Sequence, residues 1–221
     1  MLKGLFSPDN PVIRFFIWLG HVWWLNILWL ICSIPVVTIG ASTTALIYSC
    51  MKLRKDEGYP TANFFKSFKE NLRQSTAIWL IYLVVGALLA LGLVFYNNSS
   101  MPGAKLLWAV DIAFSIIYSI SLMYVFAIQS KFVNKVKDTI KFSFFMGFAN
   151  LKYTILMALI IAGVVVANVF TIFAVNFITI NIGMAIVVYI ISYHYQKIFE
   201  KYAPEETTES YLDSLEMSEA V

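Results

Sequence analysis

Charge is what this sequence has least of. Asp, Glu, Lys and Arg make up 13% of its 221 residues, while hydrophobic types make up 60%; soluble domains carry about 25% charged and about 45–50% apolar residues. The shortage excludes an ordinary soluble domain and points to a polytopic membrane protein. A net charge of +3 is too small for a nucleic-acid partner. Cysteine is nearly absent: Cys32 and Cys50 lie in apolar stretches without a partnering motif. That excludes a disulfide framework or zinc site and leaves buried free thiols. Paired acids, metal-ligand spacing, a phosphate-binding glycine loop and a nucleophile–base pair are all missing, so no enzyme activity, cofactor or metal is expected. Without a nucleotide-binding motif the chain is no ABC exporter by itself. The last two apolar runs lack charge, which disfavours ion-coupled transport.

What the chain does have is long charge-free runs. About 20 apolar residues span a bilayer, and six such spans are expected near residues 12–35, 36–52, 75–96, 105–128, 153–174 and 178–199. The first is a retained helix, since no small-residue cleavage signal follows it. Two amphipathic helices interrupt the series, near 61–74 and 131–150. In the first, Phe64, Phe65, Phe68 and Leu72 oppose Lys66, Lys69, Glu70 and Arg73, and Asn71 lies beside them; such a helix suits the membrane surface. In the second, Phe132, Val133, Val136, Ile140 and Phe144 oppose Lys131, Lys135, Lys137 and Lys141. The expected fold is therefore all-α: one helical membrane domain over 1–204 with an acidic, disordered tail over 205–221.

Charge also orients the spans. Fifteen of the sixteen bases fall on one side of this arrangement and Lys105 alone on the other. The positive-inside rule then puts both termini in the cytoplasm of a multi-pass cell-membrane protein. The lipid bilayer is its first partner.

Candidate sites are sparse. Ser33 to Tyr48 is interrupted by Pro35 and Gly40, and a break of this kind needs protein or a cavity to satisfy its backbone. Orientation puts it at or near the outer face, as a structural hinge before a binding edge. Thr38, Ser42, Thr43 and Thr44 follow and fit helix capping better than a cavity lining. Asp111 stands as the one acid in a span, a suspect by default, though Lys105 is close enough for an interfacial position. Asn26 and His21 suit interhelical hydrogen bonding. Ser115 and Ser119 share a helical face near Tyr118, fitting either a sugar-lining wall or, preferably, packing. His194 is interfacial, and Asn168, Asn176 and Asn181 fit an outer turn. Phe64-Phe65-Lys66-Ser67-Phe68 before Asn71-Leu72-Arg73 is echoed eighty residues on by Phe144-Phe145-Met146-Gly147-Phe148 before Asn150-Leu151-Lys152. The shared topological position favours a tandem parallel repeat.

The string from Asn26 through Trp29, Cys32, Ser33, Pro35 and Thr38 to Gly40-Ala41 resembles the signature of the YesL family of bacterial, mostly Gram-positive, membrane proteins. Lys52-Leu-Arg-Lys, Gly58-Tyr59 and Phe64 to Asn71 are similar to that family's next block. The resemblance covers about the first third of the chain. It implies no catalytic residues. It does imply an association with carbohydrate-uptake ABC transporters, hence a non-catalytic accessory or scaffold subunit of an oligosaccharide ABC importer, touching its permease subunits. The alternatives are an autonomous small-solute binder or transporter at Pro35–Gly40, and a membrane sensor acting through the acidic tail.

Overall fold

The computed structural model describes residues 10–170 and 182–202. Asn176, Asn181, the turn expected between the last two spans and the acidic tail all lie outside the described residues. Those that are described form seven α-helices and no strand: α1 (Pro11–Ser33), α2 (Ile39–Arg54), α3 (Pro60–Asn98), α4 (Ala104–Lys131), α5 (Val136–Ala149), α6 (Leu151–Phe170) and α7 (Met184–Tyr202). A 3₁₀ turn, Val36–Thr38, joins α1 to α2. Local chemistry sets several ends. Asn10 accepts the Val12 N–H at 3.0 Å, with Pro11 in the first helical position, the usual pairing of cap and proline. Gly103 precedes α4 at φ 84°, a left-handed conformation that side chains resist.

α1, the 3₁₀ turn with α2, α3, α4 and α6 are each long and apolar enough to cross a membrane. The chain is thus an all-α, multi-pass membrane protein. α7 differs in carrying Lys197, Glu200 and Lys201 in its last turns.

α3 and α4 pack antiparallel from Asn71 and Gln129 to Gly92 and Asp111. Gln129 pairs with Gln74 at 2.8 Å, Tyr118 donates to the Tyr82 carbonyl at 3.0 Å, and Asp111 lies against Gly92. The core around this pair includes Val22, Leu25, Leu46, Phe64, Ile78, Tyr124, Ile128 and Ile198.

Both expected amphipathic helices turn out differently. Nothing between Gln74 and Ser75 breaks a helix, so residues 61–74 run straight on into the following span as one 39-residue helix, about 58 Å long at 1.5 Å per residue. A segment collinear with a span does not lie flat on the surface. Its apolar face is used inside the protein instead: Phe64 is buried and stacks on Phe68 at 6.3 Å. Over 131–150 the helix proper is α5, and residues 132–135 are not helical. α5 climbs antiparallel to α4 and buries Thr139, Ser143 and Gly147, a small-residue face that permits close approach. Phe132 packs on Phe199, and Val133 is fully exposed.

The α1–α2 hairpin stops short. Trp79 donates its indole N–H to the Val36 carbonyl at 2.8 Å, and Thr44 pairs with Ser75 at 2.9 Å, so the hairpin tip is level with Trp79. From Trp79 to Asn98, α3 runs on for about 28 Å. The charges Lys66, Lys69, Glu70 and Arg73 end just before Gln74, and no charge follows until Lys105. The charge-free part of α3 therefore begins at Gln74. The tip leaves Ile34, Val36 and Val37 exposed beside the start of that stretch. Pro35–Gly40 is thus level with Trp79, and α3 continues past it to Asn98. In a background with Cys32 and Cys50 replaced by Ser, a cysteine at Val37 is expected to escape a membrane-impermeant maleimide applied on the side of the α3–α4 turn. One at Ser100 is expected to react. Labelling of both from that side would put the tip at that face.

Candidate functional site

Polar side chains inside the bundle bind one another. Gln129, at the end of α4, donates to Asn71 at 3.0 Å and to Gln74, and accepts from Thr139 at 3.2 Å. Gln74 in turn donates to the Asn134 carbonyl at 3.0 Å. One amide thus ties α3, α4, α5 and the loop before α5 together on the basic side. A turn or two higher, Tyr82 bonds Ser121, and Ser121 lies 2.5 Å from Ser143. Tyr124 pairs with Thr154 at 2.8 Å, and Thr154 reaches the Gly147 carbonyl at 2.8 Å. Unpaired groups here would each cost about 1–3 kcal/mol, so these clusters fix helix register.

Asn26 is buried, and its Oδ1 accepts the Ala185 N–H at 3.0 Å, satisfying a first-turn donor of α7. Around the hairpin, the Thr38 hydroxyl bridges the carbonyls of Cys32 and Pro35 (2.6 and 2.8 Å). Ser33 meets Ser42 at 2.6 Å, and Trp29 donates to Thr43 at 3.2 Å. Capping is not their role, since Thr38 makes no side-chain cap bond at α2. The hydroxyls close the hairpin on itself. Gly40 lets α2 lie directly on α3, against Ser75 and Trp79.

Asp111 is nearly buried against Gly92; its Oδ2 and the Ser115 Oγ have no hydrogen-bond partner among the described residues. Ser119 donates to the Ser115 carbonyl at 2.8 Å. Ser115 and Ser119 edge an otherwise largely apolar groove of about 440 Å³, with Ile112, Ile116 and Ile155. Tyr118 turns away to α3. Of the first amphipathic face, Phe64 and Phe68 are in or against the core and Asn71 joins the Gln129 network. Phe65, Lys69 and Arg73 are exposed. His194 packs against the rings of Tyr153 and Tyr193, and His21 is half-buried in α1. Cys32 and Cys50 are free thiols. Among the described residues no group of three or more His, Cys, Asp or Glu could hold a metal.

Three features escape a reading by residue type. A cleft of about 970 Å³ opens among α1, α2, α4, α6 and α7, walled by Trp29, Phe126, Val165 and Val187, with Thr43 and Asn168 at its sides. α1 also exposes Phe15, Phe16, Trp23 and Trp24. Trp24 donates to Thr61 at 2.9 Å, so it stands beside the charged first part of α3. The third is a lysine-lined recess where α2, α4 and α7 meet. The repeated strings do share geometry. Ser67 and Gly147 are both buried, Phe65 and Phe145 both exposed. Asn71 bonds back to the Ser67 carbonyl and Asn150 to that of Met146, each at 3.0 Å. The copies part at Asn150 (φ −124°, ψ 44°), where the second helix breaks and the first continues.

The hairpin, its close contact with α3 and the whole first amphipathic face fall in residues 22–93, which match the family described as protein of unknown function, DUF624. The uncharacterized protein YesL of Bacillus subtilis (strain 168) is 27% identical over 157 residues, covering 69% of this chain and 74% of that protein. Over these residues the chain is similar to both. No solved structure matches it. The strings Asn26–Ala41 and Lys52–Asn71 lie in this matched segment; they supply Thr38 and Gly40, which close the hairpin and seat α2 on α3, and Asn26 and Asn71, which reach α7 and α4.

Proposed function

We propose that this chain is a non-catalytic accessory subunit of a carbohydrate ABC importer, seated in the cell membrane with both termini cytoplasmic and docked on the permease through the outer face of α1. The observation that carries this reading is the depth of that face. Phe15, Phe16, Trp23 and Trp24 are exposed, and Trp24 bonds to Thr61 at the start of the α3 stretch that holds Lys66, Lys69 and Arg73, where charged neighbours disfavour lipid tails as their cover. Exposed aromatic patches outside lipid mark protein interfaces. The carbohydrate importer itself enters from the association implied by the YesL resemblance. Solute transport by the chain alone has less support, since its wide cleft is lined mainly by apolar side chains.

Tagged wild-type protein in mild detergent is expected to copurify a carbohydrate permease, and Phe16→Ser with Trp23→Ser to lose at least about ten-fold of it while keeping its melting temperature. Recovery of no permease with the wild type, or equal recovery with the variant, would sink the proposal.

A further inference from the structure

Two buried oxygens on one face of α4 lack partners. The Asp111 Oδ2 and the Ser115 Oγ are both shielded from solvent, and neither has a hydrogen-bond partner among the described residues. Four residues apart, they are neighbours on the helix surface. A ligand held by both accounts for the two together, since buried polar atoms left unsatisfied are rare.

The surroundings of Asp111 offer it no counter-charge. It is 9% exposed and forms no ion pair among the described residues. No other charge stands in α4 between Lys105 and Lys131, and the part of α3 that faces it, from Gln74 to Asn98, has none. A carboxylate in such a place is costly unless a positive charge joins it. The helices leave it room. A Cβ added at Gly92 would strike the Asp111 carboxylate, with the Asp111 Cγ at 3.1 Å, so only glycine lets α3 approach the acid this closely. Beside the pair runs the groove of about 440 Å³ whose wall includes Leu93, Ile112, Ser115 and Ser119, space for several waters at about 30 Å³ each.

The donor set names the ligand. A carboxylate and a hydroxyl are hard oxygen ligands, which suit hard cations and not soft metals. One negative charge balances one positive charge, and no group of three His, Cys, Asp or Glu forms among the described residues to hold a more highly charged ion.

We propose that Asp111 and Ser115 bind a small monovalent cation such as sodium where α3 and α4 cross, with water in the groove completing its shell. The melting temperature of purified full-length protein is followed as sodium chloride replaces choline chloride at constant ionic strength. Sodium is expected to raise it saturably, since a ligand of the folded state stabilises by mass action. Asp111→Asn should abolish the sodium response. Ser115→Ala should weaken the apparent sodium affinity by about five-fold, as the loss of one neutral oxygen ligand predicts. Asp138→Asn removes an acid exposed on α5, and Ser119→Ala a hydroxyl already bonded to a carbonyl; both should respond like wild type. Should Asp111→Asn not fold, Ser115→Ala against Ser119→Ala decides, with the broadening of the sodium NMR line by each protein as a second reading. A wild type indifferent to sodium would leave the two oxygens to a bound water and overturn the proposal. So would a full sodium response in Asp111→Asn, or equal affinities in Ser115→Ala and Ser119→Ala.

Discussion

Gly40→Ala is expected to lower stability by about 1–3 kcal/mol, at the upper end of what overpacking costs. An added Cβ would run into the Ser75 carbonyl oxygen and come within 2.6 Å of the Trp79 Cβ and 3.0 Å of the Phe126 ring. The first two are a backbone atom and a Cβ, which no rotamer change can move. Relief requires α2 and α3 to separate. That would loosen the Thr44–Ser75 and Trp79–Val36 bonds that set the depth of the hairpin. Thermal unfolding in mild detergent measures the loss. Gly20→Ala is the control: nothing lies within 4 Å of an added Cβ there, and the change should stay within about 0.5 kcal/mol. Equal melting temperatures for the two variants would contradict the close crossing at Gly40.

Gln129→Leu should cost about 2–4 kcal/mol, because it orphans polar groups on two neighbouring helices at about 1–3 kcal/mol each. Hydrogen bonds between membrane helices average only about 0.6 kcal/mol, since the unfolded chain finds other partners in lipid. The higher figure applies here because Gln129 is 3% exposed and serves Asn71, Gln74 and Thr139 together. A double-mutant cycle tests the coupling: Thr139→Val added to Gln129→Leu should cost less than the two single losses summed, as members of one network are non-additive. Strict additivity with a Gln129→Leu cost under about 0.5 kcal/mol would show that the network carries no stability.

How much of this was legible beforehand varies with the kind of interaction. The helices could be anticipated because apolar run length and charge are properties of consecutive residues. The breaks at Pro35, Gly58–Pro60 and Asn97–Gly103 could be anticipated because proline and glycine act locally on the backbone. Asn26 and Asn71 could be suspected as polar groups in apolar surroundings, but not their partners, Ala185 and Gln129. Those lie 159 and 58 residues away. The level of Pro35–Gly40 against Trp79 is hidden for the same reason. A charge count orders segments by side, but it carries no measure of how far a hairpin penetrates.

Run length and scarce charge already mark a helical membrane chain, since hydrocarbon rejects charge wherever the helices finally pack. Only the tertiary structure decided that residues 61–74 prolong a span, that α5 turns a small-residue face to α4, and that the hairpin ends level with Trp79. It also decided that Lys52, Lys55 and Lys131 meet in one recess. Each of these depends on which side chains come into contact across helices, and contact energies are set by shape and partner, which no single segment contains.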